Sequence, residues 1–140
     1  MQLEALIASW NQWLKTSDEL IQVLHEQTAA ITLRNQPKVE ELSLEITHFL
    51  AELSALDQQA MQNAAALSAT RARTKDLLDK AETQELLAMA NRVKVTARAL
   101  NELIEKNRVL EETVRNTPIV HVKRTRRSRR MMLYGEAAAA

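Results

Sequence analysis

Glu45-Ile46-Thr47-His48 has the one spacing in this chain that a metal chemist would stop at. A carboxylate and an imidazole three residues apart share a helix face, as in the carboxylate-bridged di-iron bundles. Such a site needs a second Glu-x-x-His and two further facing glutamates, and the chain has no second copy. His48 therefore reads as a surface residue. His25 and His121 have no convergent ligands in sequence, and no serine, lysine or carboxylate set forms a nucleophile and base pair. The expectation is a protein without catalysis and without a cofactor.

The densest charge is Lys123-Arg124-Thr125-Arg126-Arg127-Ser128-Arg129-Arg130, six cations in eight residues. Such an arm neutralises phosphates or an anionic membrane surface without reading sequence. Two features weigh against nucleic acid. No aromatic interleaves the arginines as a stacking platform, and residues 1 to 122 carry 13 Lys or Arg against 17 Asp or Glu, a net −4 that repels a polyanion. An acidic protein surface and a merely solvated linker remain open for the arm. The cluster Met131, Met132, Leu133 and Tyr134 follows it, and either meets a partner or folds back as a staple.

The elements that position these groups follow from composition and period. One glycine and two prolines in 140 residues leave almost no residues for the turns of a sheet, so the chain is expected to be all-α. Aromatics at 3% leave the core to aliphatic side chains and disfavour a deep small-molecule pocket. The absence of cysteine permits a reducing compartment. The N-terminus lacks the basic start and apolar run of a secretory signal, and no stretch approaches a membrane span. The cytoplasm is the expected location.

The most regular pattern is Leu86, Met89, Val93, Thr96, Leu100, Leu103, Asn107, Leu110 and Val114, at gaps alternating between three and four. That is a coiled-coil seam. Its polar members, Thr96 and Asn107, either fix register or mark a place where a second protein completes the packing. It stops at Asn116-Thr117-Pro118. Upstream, Leu3, Ile7, Trp10, Leu14, Ser17, Ile21, Leu24, Thr28 and Ile31 make a first stripe, widened by Leu6, Trp13 and Leu20. Thr16 and Glu19 have capping-box spacing, but the stripe passes through them in phase, predicting one helix of roughly 30 residues. Trp10 and Trp13 on that face read as packing residues rather than a cofactor site.

Asn35 or Gln36 is expected to cap a second helix with Pro37 in its first turn, closing an antiparallel hairpin. Its stripe is Val39, Leu42, Ile46, Phe49, Leu53, Leu56 and Ala60, with Leu50 beside it. Between 61 and 82 the apolar spacing blurs. The third helix is placed from the Asp79 to Glu82 capping spacing, or as early as Thr74. The resulting fold class is an antiparallel bundle of three long helices with coiled-coil-like packing over 1–117, followed by a flexible basic tail over 118–140.

The run Lys94 to Glu112 resembles the late helix of FlgN-type flagellar export chaperones, whose pattern is a leucine, N-x-x-N-G and a leucine pair. Asn107 matches the second asparagine, while Ile104 stands at the first and Arg108 at the glycine. Leu133-Tyr134-Gly135 is similar to the short element after a polar linker in that family. The resemblance implies a small cytoplasmic helical chaperone that binds hook-associated proteins and delivers them to the type III export gate. It assigns Asn107 with its flanking Leu103 and Leu110 to the client, by helix packing, and Tyr134 to the gate; the seam extends the client row to Leu100, and Gly135 is taken with Tyr134 as part of the same tail element. Two other classes stay open: an interaction coiled coil whose tail binds nucleic acid or an anionic surface, and a self-assembling structural coil. Monomer and dimer are both compatible with the pattern.

Limited trypsin digestion should cut first within Lys123–Arg130 and leave a stable helical body. Early cleavage at Arg34 would rule out the first hairpin.

Overall fold

The computed structural model describes residues 2–74 and 80–117. They form three α-helices, α1 (Gln2–Thr32), α2 (Gln36–Thr74) and α3 (Lys80–Asn116), with no strand among them. At 1.5 Å per residue the helices are about 46, 58 and 56 Å long. The chain groups into two compact units, Met1–Leu110 and Glu111–Ala140. In the second, the described residues are the last turns of α3, with an Arg115–Glu111 ion pair at 3.6 Å and Thr117 Oγ1 donating to the Thr113 carbonyl at 2.6 Å.

The turn between α1 and α2 occupies three residues. Arg34 N–H donates to the Ile31 carbonyl (3.0 Å) and Asn35 N–H to the Ala30 carbonyl (2.9 Å), the bond pair of a Schellman closure. Arg34 takes the left-handed position, φ 56°, usually filled by glycine. Asn35 also caps α2, its Oδ1 accepting from Lys38 N–H at 3.3 Å. Pro37 follows in the first turn as the second helical residue, where its missing N–H leaves no intrahelical bond unmade.

α2 returns antiparallel to α1. Gln27 meets Ser43 near the turn, and Ser9 meets Asn63 far from it. The sequence stripe of α2 is the packed one: Val39, Leu42, Ile46, Leu53 and Ala60 are buried and Phe49 and Leu56 half-buried. Leu50, expected beside the stripe, is instead 41% exposed, because contact with a single helix covers a narrower strip. α2 continues unbroken through the small-residue stretch to Thr74 and α3 begins at Lys80, so the break that the sequence left unplaced falls at 75–79, outside the described residues.

α1 is the central helix. Among the residues whose burial is described, twelve of α1 are buried, against five in α2 and three in α3. Its two faces divide the work. Ser9 and Gln27 bond to α2, placing the column Leu6, Ser9, Trp13, Thr16, Leu20, Val23, Gln27 and Ala30 toward that helix. Leu24 and Thr28 bond to α3, placing the column with Leu14, Ser17 and Ile31 toward α3. The stripe read first from sequence thus faces α3, and its supposed flank faces α2.

Replacing Asn35 by Ala removes the α2 cap and should cost about 1 kcal/mol in chemical unfolding. Arg34→Gly, which relieves the left-handed backbone, should be neutral or stabilising by up to about 1 kcal/mol.

Candidate functional site

The four residues assigned to a client lie on one side of α3, but not equivalently. Leu100 is 4% exposed and Asn107 3% exposed, whereas Leu103 and Leu110 are half-buried. In the closed bundle the first two are therefore covered by the chain itself, and only the latter two present surface. Over the full seam, Met89, Leu100 and Asn107 are buried; Leu86, Val93, Thr96, Leu103, Leu110 and Val114 remain part-exposed. A helix seated against one neighbour buries a single row, leaving the rows on either side half in water.

Asn107 is the best-defined polar group in the molecule. Its Nδ2 donates to the Leu24 carbonyl (2.9 Å) and to Gln27 Oε1 (3.0 Å), and its Oδ1 accepts from Thr28 Oγ1 (2.6 Å). Gln27 Nε2 in turn donates to Ser43 Oγ at 3.2 Å, and Ser43 Oγ donates to the Val39 carbonyl at 2.9 Å. One connected network therefore ties α3 to α1 and α1 to α2. It also fixes direction. α2 carries the chain away from the turn, and Asn107 meets the last two turns of α1, so α3 runs back parallel to α1. Of the two readings of the polar seam residues, Asn107 takes the register-fixing one, with partners inside the chain.

Sequence reading passed over Ser9, Thr16 and Gln27, all buried, because a hydrophobic stripe is traced through apolar residues alone. A signal existed: Leu6, Ser9, Trp13, Thr16, Leu20, Val23, Gln27 and Ala30 keep the same alternating gaps. Ser17, on the α3-facing column, is fully buried, and its Oγ has no hydrogen-bond partner, alone in this among buried side-chain polar atoms of the described residues.

Arg108, where the family pattern has glycine, is exposed and grips Glu105 through Nε (3.1 Å) and Nη2 (2.7 Å). That hydrogen-bonded pair lowers the Glu105 carboxyl below its ordinary value. Both groups are solvated, so the pair adds little to stability. His48 is exposed, 4.0 Å from Glu52 and edge-on to Phe49. Among the described residues no three His, Cys, Asp or Glu converge on a point. Tyr134, Gly135 and the arm Lys123, Arg124, Arg126, Arg127, Arg129 and Arg130 lie outside the described residues, as does the Met131–Leu133 cluster.

Asn107→Ala strands Gln27 and Thr28 in the interior and should destabilise the chain by about 1–3 kcal/mol in chemical unfolding. Exchanging both amides together, Gln27→Leu with Asn107→Leu, should recover most of that loss, since no amide is then left unpaired.

Comparison with protein-family models, with curated proteins and with solved structures returned no match.

Proposed function

We propose that the chain is an export chaperone of the FlgN type. In this reading it binds hook-associated proteins in the cytoplasm and carries them to the type III export gate without catalysis. The observation that carries the reading is the edge of α3: an apolar row, Leu103 and Leu110 foremost, left half-covered beside a bonded and buried anchor. Such an edge has the form that a helix-in-groove partner uses, with anchors at helical spacing and a backbone already ordered. It falls within the Lys94–Glu112 run that resembles the family's late helix. No helix among the described residues is long and apolar enough to cross a membrane, in keeping with this reading.

The division of residues within the proposal follows exposure. Leu103 and Leu110 contact the client directly. Asn107 acts behind them, holding α3 in the register that presents them. Burying an apolar client face along this row contributes roughly 25 cal/mol per Å2 before ordering costs. Tyr134 and Gly135 are assigned to the gate.

The test is capture of hook-associated proteins by the full chain and by two variants. Leu103→Glu with Leu110→Glu should abolish capture while circular dichroism matches the parent, and Tyr134→Ala should retain capture and lose export. A helical Leu103/Leu110 variant that still binds, beside a Tyr134→Ala chain that does not, would reverse the assignment. Tight binding of duplex nucleic acid that resists moderate salt would replace the chaperone reading altogether, because phosphate contacts by the arm alone are salt-labile.

A further inference from the structure

The two seams of α1 are built from different chemistry. Toward α2, α1 sets Leu6, Trp13, Leu20 and Val23 against the buried Val39, Leu42, Ile46 and Leu53. The buried polar residues there are bonded, Ser9 to Asn63 and Gln27 to Ser43. Toward α3, the buried residues that α3 itself supplies are Met89, Leu100 and Asn107. The α1 column facing them includes Ser17, whose hydroxyl is 0% exposed and unpaired, and Thr28, whose hydroxyl is spent on Asn107.

These differences decide which seam opens first. Separating α1 from α2 exposes the larger share of the buried aliphatic side chains, with Ser9, Thr16 and Gln27 set among them. Separating α3 from α1 exposes the smaller share, hydrates a hydroxyl that had no partner, and returns the Asn107, Gln27 and Thr28 groups to water, which replaces their bonds. Proteins open in cooperative pieces whose free energies follow buried apolar contact, so the seam with three buried residues of α3 against four of α1 opens before the seam with five of α2 against eight of α1.

We propose that the α3 segment 80–110 is a releasable arm: it leaves α1 as a unit while the α1–α2 hairpin stays assembled, and the Asn107 network is the catch that returns it to one register. Release exposes the column Leu14, Ser17, Leu24 and Ile31 to water. This holds whatever partner occupies the α3 edge, so it does not rest on the chaperone reading.

The chain has no cysteine, which makes single thiols clean reporters. Ser17→Cys places one on the α3-facing column, and Val23→Cys places one on the α2-facing column. In the full chain under native conditions, the thiol at position 17 should react with a soluble disulfide reagent at least tenfold faster than the thiol at 23. Asn107→Ala, which removes the catch, should raise the rate at 17 further and leave the rate at 23 unchanged. Equal rates at 17 and 23, or an Asn107→Ala change that raises both rates alike, would overturn the proposal. Hydrogen exchange on the unsubstituted chain guards against a thiol that disturbs the fold. Amides of Leu100 to Asn107 should exchange at least tenfold faster than those of Leu20 to Leu24, and a common rate for both sets would show a single global opening instead.

Discussion

The bundle depends on two amides that meet in its interior. A hydrophobic seam alone tolerates slippage: a heptad pattern repeats, and moving α3 by seven residues along α1 would again place aliphatic side chains against aliphatic side chains. Asn107 removes that freedom. Its amide finds Gln27, the Leu24 carbonyl and Thr28 at one level of α1 and nowhere else, and Gln27 carries the same registration on to Ser43 of α2. A slip of one heptad would set Asn107 against Leu20 and Ile21 in place of Gln27 and Thr28, and an amide that loses buried partners costs more than a misplaced methyl group. The network contributes specificity more than stability, the role best attested for single buried asparagines in helical assemblies.

Much of the architecture was legible in sequence because period and composition carry it. The seams of α2 and α3 and the turn at Arg34 to Pro37 all match the structure, since apolar spacing and turn chemistry are local properties. Three things were not legible. The polar members of the α1–α2 column were hidden because Ser9, Thr16 and Gln27 take their burial from partners far along the chain. The end of α2 was hidden because a run of alanine, serine and threonine has helix propensity without a stripe to mark its phase. The unequal coverage of α3 was hidden because one helix's periodicity says which face is buried, and not by how many neighbours.

That unequal coverage links the fold to the proposed activity. A symmetric three-helix bundle would bury the seam of every member. Here α1 takes a neighbour on each of two faces, and α3 keeps apolar rows half in water. The residues with chemistry of their own, His48 and the Arg108–Glu105 pair, are solvated and paired with near neighbours on the same helix. The half-covered rows of α3 are apolar surface of the kind a partner helix can cover.

The three-residue turn has a consequence for the order in which the molecule is made. Asn35 closes α1 through its amide and opens α2 through its side chain, so almost no chain entropy separates the two helices, and their first contacts join residues close in sequence. The α1–α2 hairpin is complete once residues up to about Thr74 have been synthesised, whereas Asn107 arrives more than thirty residues later. On a ribosome, the hairpin is therefore already a formed template, with the Gln27 amide waiting, when α3 emerges to be registered against it.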